Sequence, residues 1–328
     1  MLLRFFKSGK PAMLIFVPVF AGLLWLKYFI LPQSVNIAFE PNPMPFYHWI
    51  SILFENQLFL GKIVTLSLLI FSALWLSRIN TKFIILQQRT YLPAIFYILV
   101  VSSYLPLQHL NPAVFASIFM VLSMEILFDT YKKEGLAREF FMAAFLVSIA
   151  SLFYARAAFL MLVVWSALAL LRTMYWREWV FTILGFISPY IFLFSWYYLS
   201  GQDLAENWEK IRFNFVHDRE TGYLNIYYLI FYGYLLLVVL LASRKILGTY
   251  QGMKIYMRKF FSLNFLIFTF VLAVFLVIYS RAIEMIYFIA LPLSYALAYF
   301  FINIRSKLVG EIIFSLLLAA YGLLLIFN

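Results

Sequence analysis

Arg281 and Glu284 stand three residues apart in SRAIEMIYFIALPLS, at the head of a long apolar run. On a helix that spacing lets both side chains share a face, so the carboxylate can orient the guanidinium. Arg156 holds a similar place in SLFYARAAFLMLVV, between two apolar stretches. A guanidinium at such a boundary suits a lipid phosphate or diphosphate, because its planar fork donates two parallel hydrogen bonds. The plainer readings are an ion pair pinning a helix end and, for Arg156, a side chain reaching up to the headgroups. Arg156, Arg281 and Glu284 are therefore the candidate ligand-binding residues.

Two groups are candidates for catalytic proton transfer. Glu55 in FYHWISILFENQLF is a carboxylate beside an interface, and His109 in YLPLQHLNPAVF sits between Pro106 and Pro112. Either could accept a proton from a substrate hydroxyl. The plain alternatives are a solvated acid and a loop histidine, with Gln108, His109 and Asn111 exposed in the turn. The sequence fixes no acid beside His109, so no catalytic triad can be assembled. Glu125 and Asp129 in MVLSMEILFDTYKK are four apart, where like charges repel. Pairing with Lys132 or Lys133 at a helix end is the expected outcome, with a proton relay as the alternative.

The elements that must position these groups are membrane helices. Hydrophobic residues make up 65% of the 328-residue chain and charged ones 12%, far from the balance of soluble domains. Apolar runs suited to spanning occur at about 11–30, 59–77, 91–106, 112–130, 139–154, 157–173, 178–199, 223–242, 261–279, 284–302 and 309–327. The expected fold is an all-α, polytopic transmembrane bundle of about eleven helices, with ten to twelve allowed. Phe83 to Tyr104 offers an alternative single helix. The pair 139–154 and 157–173 reads as a tight buried hairpin or one bent element. Residues 1–328 form one membrane domain with outer loops at about 31–58 and 200–222. The first loop has Pro32, Pro41, Pro43 and Pro45 ahead of an interfacial helix. The second has Asp203, Glu206 and Glu209 at helical spacing, with Trp208, Ile211 and Phe215 able to face the membrane, and reads as a short amphipathic helix against the bundle top.

Most of the 25 Lys and Arg residues fall in alternate turns, from Arg4, Lys7 and Lys10 through Arg78 and Lys82 to Arg305 and Lys307. That bias orients the N-terminus to the cytoplasm and the C-terminus outside. It also accounts for the net charge of +11 without a nucleic-acid partner. The absence of Cys excludes disulfides and thiolate chemistry, and His48, His109 and His217 lack metal-ligand spacing. No metal or cofactor is expected.

Three segments carry a resemblance. With QQRTYLPAIFYILVVSSYLP, ARAAFLMLVVWSALALLRTMYWREW followed by GFISPYIF, and SRAIEMIYFIALPLS, the chain resembles an uncharacterised family of polytopic inner-membrane proteins of Bacteroidetes. That family brings no activity with it. The general plan is also loosely similar to multispanning glycosyltransferases that use polyprenyl-linked sugars. Those enzymes open the first outer loop with an acid, where this chain has Leu31-Pro32-Gln33-Ser34 and reaches Glu40 only later.

The leading functional reading is an envelope-biogenesis protein handling a lipid-linked anionic glycan or phospholipid at its outer face, with glycosyltransferase-like chemistry as one form. Its partners would be membrane lipids, a polyprenyl-linked substrate and other membrane proteins. A non-catalytic scaffold subunit and a transporter are the alternatives. Against a transporter, the chain shows no internal repeat and no matched pair of broken helices.

Overall fold

The computed structural model describes residues 2–30, 43–54, 57–131, 136–171, 175–216, 225–277 and 283–327, and every regular element among them is helical. A short α1 (Leu2–Phe6) precedes α2 (Met13–Ile30), the first spanning helix. The interfacial helix expected in the first loop is α3 (Pro45–Phe54), with Pro45 in the first turn, where no backbone N–H is needed. Then come α4 (Leu58–Phe83), the short α5 (Leu92–Ser102) and α6 (Pro112–Asp129). A hairpin of α7 (Ala137–Phe153) and α8 (Met161–Leu171) leads into α9 (Trp176–Leu199). The amphipathic α10 (Leu204–Val216) is followed by α11 (Ile226–Thr249), α12 (Ile255–Val277), α13 (Ile286–Ile302) and α14 (Lys307–Phe327).

Eight of these helices are long and apolar enough to cross a bilayer. The chain is a multi-pass membrane protein. With α5, α7 and α8 they make up the eleven segments expected. The helices alternate between two ends of the bundle. One end holds Arg156 and His109, and there Lys27 donates to the Leu325 carbonyl at 2.6 Å and Lys62 to that of Tyr28 at 3.1 Å. At the other end, which holds Lys82, Lys259 donates to the Leu170 carbonyl at 2.6 Å.

Several boundaries differ from the expectation. Helix α4 runs on to Phe83, and α12 begins at Ile255. Lys82, Arg258 and Lys259 therefore lie on helices, where long basic side chains can reach the interface. A single helix from Phe83 to Tyr104 does not form, because Ile84 and Gln87 take left-handed backbone angles, with φ of 50° and 60°. Asn80 holds that break, accepting from the Leu86 N–H at 3.0 Å and donating to the Gln88 carbonyl at 3.1 Å. Glu125 pairs with Lys82 of α4 at 2.9 Å and accepts from the Trp75 indole at 2.6 Å. Asp129 lies 3.6 Å from the same Lys82. One ammonium between two carboxylates relieves their repulsion, so the partner comes from a neighbouring helix; Lys132 and Lys133 lie outside the described residues.

Lipid tails are as apolar as leucine, so burying leucine does not by itself drive these helices together. Close packing and polar contacts specify the arrangement. Every residue of α5 is buried, and it packs against α13, itself mostly buried, and α4. Helix α7 is held between α6 and α9. Gly185 of α9 lies so near the Phe141 carbonyl of α7 that a Cβ there would overlap it.

Candidate functional site

Helix α5 has 11 residues, about 16 Å of rise, roughly half a hydrocarbon core. It stops inside the bundle, and the connection to α6 must have its polar backbone satisfied by protein. Neighbouring side chains do this. Gln108 and Tyr321 both donate to the Ser102 carbonyl, at 3.1 Å each, and the Trp25 indole donates to the Ser102 hydroxyl at 2.9 Å. Asn111 caps α6 by accepting from the Val114 N–H at 3.1 Å, while its amide donates to the carbonyls of Leu107 and His109. The same amide donates to the Tyr287 hydroxyl of α13 at 3.1 Å, and Tyr47 of α3 donates to the Leu110 carbonyl at 3.0 Å. The expectation of an exposed turn is thus corrected: Gln108 and Asn111 are each 1% exposed. A helix too short to reach the surface leaves its connection inside.

Two further interruptions meet this elbow. Between α7 and α8 the chain turns at Tyr154 and runs through a 3-10 segment, Ala155–Leu160, whose Ala155, Arg156 and Ala157 are buried. Helices α7 and α8 are therefore a hairpin, one of the two forms expected for this pair. Arg156 is 4% exposed, so it does not extend to the headgroups as the plain reading had it. Ahead of α13 a second 3-10 turn, Ile283–Met285, carries the half-buried Glu284. The Tyr154 hydroxyl is in electrostatic contact with both Arg156 and Glu284. The Glu284 carboxylate also acts on His109, Tyr47 and Tyr287.

The arrangement gathers one guanidinium, one carboxylate, one imidazole and three phenols from four segments far apart in sequence. Burial depresses the His109 imidazole below its ordinary value, against the opposing pull of the Glu284 carboxylate and the Pro106 carbonyl. His109 is thereby kept neutral and able to accept a proton. Above the ordinary histidine pKa both folded and unfolded chains carry a neutral ring, and His109 contributes nothing to pH dependence. Below it the unfolded chain takes up a proton that the folded chain resists, so stability falls. We expect the melting temperature in detergent to drop on acidification from pH 7.5 to 5.5, and His109→Gln to reduce that drop. An unchanged drop in the variant would remove His109 from the account.

Of the sequence candidates, the structure brings His109, Arg156 and Glu284 to one place. Glu55 and Arg281 lie outside the described residues. Tyr47, Tyr154 and Tyr287 escaped the sequence reading, and Asn111 stands in it only as an exposed turn residue. Only Tyr154, two residues from Arg156, and Asn111, ahead of Pro112 in a capping pattern, carried any local signal. No group of metal-ligating side chains occurs among the described residues. In comparisons with known proteins, no family model matches the chain, and no curated protein or solved structure is significantly similar to it.

Proposed function

We propose that this membrane protein handles the headgroup of a lipid-linked anionic glycan or phospholipid at the Arg156 end of its bundle, in the biogenesis of a bacterial envelope. The supporting observation is the buried Arg156 beside Tyr154 and Glu284, set in a broken helix rather than on an exposed end. Ionisable groups inside a membrane bundle are costly and usually serve a ligand or ion pathway. Partial removal of water strengthens charge-assisted bonds from a guanidinium to phosphate. In an enzymatic form of the reading, the neutral His109 or the carboxylate of Glu55 takes the proton from an acceptor hydroxyl. The loose likeness in general plan to polyprenyl-linked-sugar enzymes favours the same reading, although the acid those enzymes carry at the start of the first outer loop is replaced here by Leu31-Pro32-Gln33-Ser34.

The basic residues at the Lys82 end support a cytoplasmic position for that end and for the N-terminus. Single cysteines at Gln202 and Gly252 of this cysteine-free chain should then label oppositely with an impermeant thiol reagent in spheroplasts. The binding test uses purified protein with a sugar-free polyprenyl diphosphate in one arm and an anionic phospholipid in the other. Arg156→Lys keeps the charge and loses the fork, so the preferred ligand should bind about tenfold more weakly, equal to 1.4 kcal/mol. Equal affinity in wild type and a folded variant, in both arms, would overturn the anion site and leave the scaffold reading as the better one.

A further inference from the structure

We infer that a second site, a cleft at the same end of the bundle, binds the sugar portion of a lipid-linked saccharide. The cleft has a volume of about 690 Å³ and lies between α3, the end of α9 and α10. That is within the range of sites enclosing a ligand of a few rings, roughly 300–1,000 Å³. Its lining combines two kinds of group. Trp49, Trp196 and Tyr197 supply aromatic surface, and Asp203, Glu206, Asn207 and Asn214 supply polar groups.

The polar groups favour one chemistry. The Asn207 amide N–H group donates to the Gln202 side chain and to the Asp203 carbonyl, and that of Asn214 to the Lys210 carbonyl and the Met44 sulfur. In these bonds both asparagines use their N–H groups, so their amide oxygens remain as acceptors in the lining of the cleft. One Asp203 oxygen caps the Ala205 N–H at 2.8 Å, and Glu206 pairs with Lys210 at 2.7 Å. The second oxygen of each carboxylate adds to the acceptors. A cleft rich in acceptors calls for a ligand rich in donors. Two carboxylates against one lysine disfavour a phosphate, which belongs with a guanidinium instead. A polyol ring satisfies the acceptors with its hydroxyls. The C–H face of such a ring carries partial positive charge and settles on the negative face of an indole. Trp49 stacks on Phe46 at 5.8 Å, which steadies its ring, and remains 51% exposed.

The placement connects the cleft to the buried charges. Helix α3 serves both: Tyr47 turns inward towards the Glu284 cluster, and His48, Trp49 and Ile52 line the cleft. Below the cleft, Tyr197, Ile211 and Met44 pack with Leu152 and Ala155, the neighbours of Tyr154 and Arg156. Ile211 and Phe215, residues able to face the membrane by their spacing, instead pack into this small core and hold α10 against the bundle. A lipid phosphate near Arg156 would leave its attached sugar within reach of α3 and α10. The saccharide assignment rests on the lipid-linked-glycan reading for the origin of its ligand.

The test measures each site with its own probe. Purified protein in nanodiscs is titrated with soluble neutral and amino disaccharides, following tryptophan fluorescence and saturation-transfer NMR. We expect saturable binding of at least one disaccharide. Trp49→Ala and Asn207→Leu should each weaken it about tenfold, with Trp49→Phe recovering part of the loss. These residues line a cleft at the end of the bundle, and melting curves of the variants are the check that they fold. Absence of saturable binding by every disaccharide, or equal binding by both cleft variants, would overturn the saccharide site. The sugar-free polyprenyl diphosphate probes the Arg156 cluster separately. Its binding without any disaccharide binding would refute the cleft alone, and the reverse would refute the anion site alone.

Discussion

Gly185→Ala is expected to destabilise the bundle by about 1–3 kcal/mol, and Gly185→Leu to leave little folded protein. The cause is the close approach of α9 to α7. A Cβ at Gly185 would overlap the carbonyl carbon of Phe141 at 3.1 Å as well as its oxygen. Backbone cannot move aside as a flexible side chain can, so the two helices must separate. That separation would propagate, because α7 also packs along α6 and leads directly into the Tyr154–Arg156 turn. Gly233 of α11 is the control, with nothing within 4 Å of an added Cβ. Gly233→Ala should be neutral or stabilising, since alanine is the better helix former. Thermal unfolding in detergent and the monodisperse fraction on size exclusion measure both. Equal behaviour of Gly185→Ala and Gly233→Ala would show that the α7–α9 approach does not constrain the fold.

The second large effect concerns the charges at the broken helices. Arg156→Met should lose about 3 kcal/mol, because it removes the buried guanidinium that shares the Tyr154 hydroxyl with the Glu284 carboxylate. Glu284 is only half-buried, so water offsets part of the loss and the lower end of the usual range applies. Glu284→Gln alone should cost a comparable amount, because it strips the carboxylate from beside the more deeply buried Arg156 guanidinium. If the two groups act together, the double variant Arg156→Met, Glu284→Gln recovers part of the damage, with a coupling of about 0.5–3 kcal/mol. Strict additivity of the two single losses would show that the residues stabilise the protein independently, and the cluster would no longer count as one unit. Unfolding in denaturant, at a pH where His109 is neutral in both states, keeps the imidazole from contributing to the comparison.

Much of the architecture was legible along the chain. The eleven apolar segments, the interfacial helix after the prolines and the amphipathic helix with Asp203, Glu206 and Glu209 all follow from local periodicity, which a helix reports on its own. Arg156, Glu284 and His109 also stood out, because polar groups are rare against so apolar a background. What the sequence could not show is where they point. Nothing in LQHLNP indicates that Gln108 and Asn111 are enclosed; that follows from α5 ending inside the bundle among Trp25, Tyr287 and Tyr321. Nothing in YAR indicates that Arg156 turns inward, since an arginine between apolar runs can equally reach for headgroups. One partner of Glu125 is Lys82, 43 residues away on another helix, which nothing local to MVLSMEILFDTYKK indicates. Sequence by itself determined the class of fold, the number of apolar segments and the scarcity of charges, because each depends on neighbours along one helix. Tertiary structure alone decided the burial of the two elbows, the close α7–α9 approach and the cleft beside α3, because in a membrane these depend on which helices touch, and apolar surface faces lipid as readily as protein.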